Sequence, residues 1–400
     1  MALLITCLAT FFVAFSIFAC GYFYFLLLAR LFSKKNNLFP TIEHDILRRI
    51  AVVIPAHNEA QCIAHTLQSC LALDYPKDSF QVIVIADNCQ DETADIARSE
   101  GVRVIERFDI NQKGKGYALA YAFSILLQEA FNAFLVVDAD CTIDPQALTT
   151  LAPFLAHGFK TVQLNYVVAN PDASPMTYAL AVGNHMENAF FYSPKSRLGW
   201  AVLLRGTGML LTRDALAAVP WDAFSVTEDI EYGVNVLAKG FQTAFVEEAR
   251  VASPFPVDQQ QLEVQRKRWA SGNLSFGRKE AFKLIMKGVA RRHWLLVDSG
   301  VTFLLLSKPL ILLTVGVAFL LSFLTVLLRP TLASYGLLVT SSFCAVLLCV
   351  YFFVGILSFG LNAKRFNLLL RVPGTVFRLV RIAVQGLVGG TDKVWKKTPR

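Results

Sequence analysis

The chain has 400 residues, 54% of them hydrophobic and only 17% charged, with a formal net charge of +8. Its mean hydropathy of +0.47 excludes an ordinary soluble protein, and no aromatic–basic module accompanies the positive charge, which disfavours nucleic acid as a partner. Eight cysteines without a CxxC pair, and no histidine cluster, argue against structural zinc and a disulfide framework; they read as small apolar fillers in a reducing compartment.

The first element is an uncharged stretch, Ala2 to Ala29. It is long enough to cross about 30 Å of hydrocarbon at about 1.5 Å per residue. Met1 to Thr6 lack the basic start of a cleaved signal peptide, so residues 1–30 are expected to stay as an anchor; a lipid-modified Cys20 is the alternative. Arg30, Lys34, Lys35, Arg48 and Arg49 follow this segment and no basic residue precedes it. That asymmetry predicts an outside N-terminus and a cytosolic middle.

Residues 48–280 read as one globular unit. Strands are expected at Arg49–Pro55, Phe80–Asp87, Val102–Ile105 and Phe134–Asp138, separated by helices over 59–71, 93–100 and 116–131. Continuous apolar strands between amphipathic helices predict an α/β fold, a mainly parallel sheet with helices on both faces. Ligands of such sheets sit at the carboxyl ends of the strands, which here carry Asn58 and Glu59, then Asp87, then Asp138 and Asp140. The glycine fingerprint of dinucleotide folds is missing after the first strand, and Lys113-Gly114-Lys115-Gly116 lacks the spacing of an NTPase phosphate loop.

Four clusters could carry chemistry. Asp138-Ala139-Asp140 places two carboxylates on one side of a strand end, a hard-oxygen set suited to Mg²⁺ or Mn²⁺, or else a plain turn. Ser225 and Glu228 have the spacing of a capping box opening a helix that ends at Gly240; alternatively, Asp229 is a general base for an attacking hydroxyl. Gln265, Arg268 and Trp269 share one face of a helix starting near Gln259, offering a guanidinium and an apolar wall. Arg266 and Lys267 fit lipid headgroups better. Asp91 is expected to cap the helix holding Thr93, leaving Asp87 freer to bind a base or ribose.

Beyond 280 the chain turns apolar again. Leu295 to Leu328 is too long for one perpendicular span, and Ser307-Lys308-Pro309 interrupts it. An interfacial helix over 281–307 is expected, with Lys308 snorkelling to headgroups, then a transmembrane hairpin within 308–360 and a second interfacial helix and tail within 361–400. Arg329 in the hairpin turn and the basic residues Lys364 to Arg381 fit the same orientation.

Taken in order, Val53-Ile54-Pro55-Ala56-His57-Asn58-Glu59, Ala86-Asp87-Asn88, Gly114-Lys115-Gly116, Asp138-Ala139-Asp140, Gly206-Thr207-Gly208, Thr227-Glu228-Asp229 and Gln265 to Trp269 resemble the membrane-embedded branch of family 2 glycosyltransferases. That branch includes cellulose, hyaluronan and chitin synthases, poly-N-acetylglucosamine synthases and ceramide glucosyltransferases. The resemblance implies a GT-A fold and inverting transfer from a UDP-sugar donor, with Mg or Mn as divalent cation. It places Pro55, Glu59, Asp87, Lys115 and Asp138 on the nucleotide sugar, and Asp140 with Asp138 on the metal. It makes Asp229 the base beside Glu228, sets Gln265, Arg268 and Trp269 on the diphosphate and the acceptor's approach, and borders the acceptor channel with Gly206, Thr207 and Gly208. The expected setting is a bacterial inner membrane. Three spans are few for a polysaccharide pore, which favours a lipid-linked or interfacial acceptor over a processive synthase, alone or completed by an oligomer or partner subunit. An inactive nucleotide-sugar-binding scaffold is the minor alternative.

Overall fold

A computed structural model describes residues 1–32 and 48–388. Lys34, Lys35 and the end of the expected tail lie outside the described residues.

The strands expected from the sequence form one half of a single sheet. They are β1 (Ile50–Ala56), β2 (Phe80–Asp87), β3 (Arg103–Arg107) and β4 (Ala133–Val136), all parallel to one another. The other half contains β5 (Thr142–Ile143), β6 (Thr161–Val168), β7 (Met209–Thr212) and β8 (Thr243–Ser253). The full order is β3-β2-β1-β4-β7-β6-β8-β5. β7 runs antiparallel to β4 and to β6, so the sheet is mixed. The reversal follows from chain path, since a strand that returns antiparallel needs no crossover helix.

Eight further helices follow α1 among and beside the strands of the described residues. After α1 (Ala2–Phe32) come α2 (Ile63–Leu71), α3 (Thr93–Ser99), α4 (Lys115–Leu126), α5 (Ala147–Ala156), α6 (Pro175–Glu187), α7 (Ser193–Arg197), α8 (Arg213–Ala218) and α9 (Glu228–Ala238). Side chains of β1 alternate between two cores: Ile50, Val52 and Ile54 pack with α2, α3 and α5, whereas Ala51 and Val53 pack with α4, α8 and α9. Each fully buried Val or Ile contributes about 1.5–3 kcal/mol. Burial on both faces explains why these strands read as unbroken apolar runs.

The remaining helices are α10 (Gln259–Ala290), α11 (Trp294–Leu305), α12 (Lys308–Leu328), α13 (Leu332–Phe359), α14 (Ala363–Leu370) and α15 (Val372–Val388). Three of the described helices, α1, α12 and α13, are long and apolar enough to cross a membrane. Phe23 stacks on Tyr351 with ring centroids 5.2 Å apart, and Tyr24 Oη donates to the Leu347 carbonyl at 2.8 Å. At the end of α1, Arg30 pairs with Glu247 of β8 at 2.8 Å, joining the bundle to the sheet.

The single helix expected over 281–307 is not present. α10 continues to Ala290, the chain reverses through Arg292 at φ 52°, and α11 folds back against α10. Gly288 and Gly300 permit that contact: a Cβ on Gly300 would lie 2.6 Å from the Ala281 carbonyl oxygen. Lys308 does not reach for headgroups either; its Nζ lies 3.5 Å from Glu187 Oε2. The helix expected near 364–388 is divided into α14 and α15.

Candidate active site

The carboxyl ends of the parallel strands build the first part of the site. Asp87 and Arg107 end β2 and β3 and are register partners, so their side chains lie together. Arg107 Nη1 donates to Asp87 Oδ1 at 2.7 Å, and both side chains are buried. Asn88 Nδ2 donates to the same oxygen at 3.1 Å. Asp87 is therefore held by a guanidinium rather than left open as the sequence suggested. The loops after β1 and β2 are tied together as well. His57 Nδ1 contacts the Asp87 carbonyl at 2.7 Å, and Asn58 Oδ1 accepts from the Gln90 amide at 2.7 Å. Asn58 and Asn88 take positive φ values that asparagine tolerates. Asp91 Oδ1 accepts from the Thr93 amide at 3.1 Å, but it is Glu92, without a side-chain cap bond, and not the expected Asp91, that stands at the cap of α3. Pro55 and Glu59 line the same side of the cleft.

Asp138 and Asp140 follow β4 on a short turn. Lys115, at the start of α4, forms an ion pair with Asp138 and donates to the Gly206 carbonyl at 2.7 Å. The Asp138 amide donates to Thr207 Oγ1 at 3.1 Å. α4 approaches closely because Gly116 has no side chain; a Cβ there would lie 2.3 Å from the Ala223 carbonyl oxygen.

Asp138, Asp140 and Cys141 offer ligand atoms within 4.8 Å of one another. Burial pushes the Cys141 thiol well above its ordinary value, and a soft sulfur donor suits a hard cation less well than the carboxylates. Two carboxylates remain, and hard oxygen donors of this kind fit Mg²⁺ or Mn²⁺ completed by diphosphate oxygens. Ser253 Oγ donates to Asp140 Oδ2 at 3.4 Å.

The second acidic pair opens α9. Residue Thr227 precedes the helix and Glu228 is its first residue, so the expected capping box between Ser225 and Glu228 does not form. Glu228 is buried instead and lines the cleft. Burial, then the neighbouring Asp229 charge, raises the Glu228 carboxyl above the ordinary range. Burial also raises Asp229, while Lys115 and the Ile230 amide pull it back. Burial is the first cause of both shifts, so the adjacent pair holds a proton to higher pH than free carboxylates do. Gly206 lies between the groups: a Cβ there would be 3.4 Å from Asp229 Oδ2 and 3.5 Å from Lys115 Nζ.

α10 forms the opposite wall. Asp258 caps its start through the Gln261 amide at 2.9 Å. Gly272 lets it reach the turn before α9, where a Cβ would meet Thr227 Cγ2 at 2.8 Å. Gln265, Arg268 and Trp269 all line the cleft. Burial lowers the Arg268 guanidinium, opposed by the carboxylates of Glu228 and Asp138. Trp269 packs edge-on to Phe255, with ring centroids 5.8 Å apart. Gln265 Oε1 is buried without a hydrogen-bond partner among the described residues, an acceptor that a ligand could satisfy.

These groups share one cleft of about 1220 Å³. Gly206 and Thr207 border it, but Gly208 does not; it packs beneath β7 against Leu164 and Val251 at φ 66°. The sequence reading missed Arg107, and it missed a charged group deeper in the cleft: Glu187, Arg205 and the inward side of Lys308. A buried charge isolated in sequence carries no motif. Only the position of Arg205 beside Gly206-Thr207-Gly208 could have drawn attention to it.

The profile described as "Glycosyltransferase like family 2" matches residues 48–272, more than half of the chain. The chain belongs to glycosyltransferase family 2. Among relatives of this glycosyltransferase is the beta-monoglucosyldiacylglycerol synthase of Synechocystis, 26% identical over 56% of this chain and 47% of that protein. The poly-beta-1,6-N-acetyl-D-glucosamine synthase of Staphylococcus aureus is 28% identical over 63% of this chain and 60% of its own length. The chain thus spans only about half of the curated relatives it matches. A mannosyltransferase from Pyrobaculum calidifontis, solved with GDP-Man and Mn²⁺, covers 96% of this chain and 99% of its own, with a TM-score of 0.60 at 18% identity. That likeness of fold covers the apolar helices as well as the GT-A domain.

Proposed function

We propose that this family 2 glycosyltransferase moves a hexose or N-acetylhexosamine from a UDP-sugar to the hydroxyl of a lipid-linked or membrane-interface acceptor, with inversion. The observation that carries the reading is the continuity of the cleft. It runs from the carboxylates of β4 and α9 to Leu312 of α12, Phe352 of α13 and Ile382 of α15. A donor that must stay in water and an acceptor with apolar chains can meet in such a space. A relative that makes a glucosyl lipid supports the same acceptor class.

In this reading Asp87, fixed by Arg107, binds the uridine, with Pro55 and Glu59 beside it. Lys115 holds Asp138 against the donor. Asp140, shared with Asp138, would hold a divalent cation, which offsets charge on the diphosphate. Asp229 accepts the acceptor's hydroxyl proton as that oxygen bonds to the anomeric carbon. The bond from that carbon to the diphosphate oxygen breaks, and UDP leaves with the electron pair. Arg268 and Gln265 face that departing group, and Trp269 bounds the acceptor's approach. Glu228, buried beside Asp229 at the start of α9, lines the same cleft. The working location is a bacterial inner membrane, with the catalytic domain on the cytosolic side and the N-terminus outside.

Purified full-length protein incubated with labelled UDP-sugars and membrane lipid extract tests the reading. A labelled product that moves with the lipids is expected. A high-molecular-weight polymer with no glycolipid would instead make the protein a polysaccharide synthase.

A further inference from the structure

Charge in the cleft is segregated. At the donor end the carboxylates of Glu59, Asp138, Asp140, Glu228 and Asp229 dominate, and at the far end Leu312, Phe352, Phe353, Ile356, Leu379 and Ile382 make an apolar lining. Between them lie three cations, Arg205, Arg266 and Lys308, and one carboxylate, Glu187. Glu187 is already shared, 3.9 Å from Arg205 Nη2 and 3.5 Å from Lys308 Nζ. Arg205 is further fixed by Asn188 Oδ1 at 2.5 Å, and its guanidinium lies over the rings of Tyr166 and Tyr192. Arg266 makes no ion pair among the described residues; its guanidinium carbon lies 5.7 Å from the centre of the Trp269 ring. Burial pulls the Arg266 guanidinium down, opposed by the Glu187 charge.

Glu187 is shared by Arg205 and Lys308, and Arg205 also feels the Asp229 charge, so Arg266 is the one of the three cations that makes no ion pair among the described residues. An uncompensated buried charge is costly unless a ligand pairs with it. A neutral lipid would leave that cost in place, whereas a phosphate would remove it and could accept from a guanidinium through two oxygens.

We propose that Arg205, Arg266 and Lys308 form a phosphate site for the acceptor, so that the sugar is transferred to a lipid whose head carries a phosphate and whose chains lie against α12, α13 and α15. This rests on the lipid-acceptor reading above. It adds an anionic head group, and Arg205 is the residue that links the two ends, since it precedes Gly206 beside Asp229.

The test uses the full-length protein in neutral detergent micelles. Binding of dioctanoyl phosphatidic acid, dioctanoylglycerol and glycerol 3-phosphate is followed by tryptophan fluorescence, because Trp269 adjoins Arg266. At least tenfold tighter binding of phosphatidic acid than of either comparison is expected. That preference should fall to near parity in Arg266→Gln and in Lys308→Met, and persist in Arg266→Lys, which keeps the charge. Equal binding of dioctanoylglycerol would overturn the phosphate site while leaving transfer to a neutral lipid intact. Binding of glycerol 3-phosphate as tight as that of the lipid would make it a site for a soluble anion and overturn the lipid assignment. Displacement of bound phosphatidic acid by UDP would assign the cations to the donor and overturn the proposal too. Polymer synthesis in the lipid-extract assay would fail the broader reading separately, since this binding measurement needs no turnover.

Discussion

Arg107 and Asp87 end adjacent parallel strands and meet at 2.7 Å with both side chains buried. Removing the cation would leave a buried carboxylate without its partner. Arg107→Met should lose about 3–5 kcal/mol of stability and weaken donor binding at least as strongly as Asp87→Asn. Thermal unfolding together with UDP titration checks this. An Arg107→Met protein with unchanged unfolding and unchanged UDP affinity would separate the pair from the nucleotide pocket.

With Asp229 as the proposed base, Asp229→Asn should reduce kcat by about 10²–10⁴-fold while UDP binding is retained. Its carboxyl is raised by burial, so the protonated, inactive form persists to higher pH than for a free aspartate with a pKa of about 3.9. Turnover should therefore rise with pH along an acid limb displaced upward from that value. A kcat profile flat down to pH about 4 would remove a raised carboxylate from the rate-limiting step.

A divalent cation at Asp140 predicts loss of transfer on chelation and recovery on adding Mn²⁺ or Mg²⁺. Asp140→Asn should shift the metal concentration needed for half-maximal rate upward by about tenfold or more, as loss of a hard-oxygen ligand weakens the site. Transfer that continues at full rate after exhaustive chelation would argue for Lys115 and Arg268 as the sole charge neutralisation.

Lys195 and Asp298 form a second buried ion pair at 2.8 Å, and Tyr22 Oη donates to Asp298 at 2.5 Å. The pair ties α7 to α11 and α1. Lys195→Met should destabilise by about 3–5 kcal/mol, and the double change Lys195→Met with Asp298→Leu should recover much of that loss. Detergent unfolding curves read both. Equal stability of the single and double variants would show that the charge at Asp298 carries no penalty.

The parallel half of the sheet was legible because its strands are apolar on both faces, and residues 50, 52 and 54 really do part from 51 and 53 into separate cores. β7 was not, since Met209-Leu210-Leu211-Thr212 has no feature that reports direction. Short-range motifs likewise led to Asp138, Asp140, Asp229 and the wall of α10. Gly208 belonged to the same motif yet packs away from the cleft, because a tripeptide does not specify which of its residues faces a cavity.

The sequence alone determined the three apolar helices, the alternation of strands and helices, and the family, since each depends on local composition or on residues close together in the chain. The tertiary structure decided that Arg107 holds Asp87, that Lys308 turns inward to Glu187, and that the candidate cleft continues among the apolar helices. Those outcomes depend on where distant segments pack. A charge finds its partner through space, at a separation of 121 residues for Lys308 and Glu187, and no local pattern records that distance.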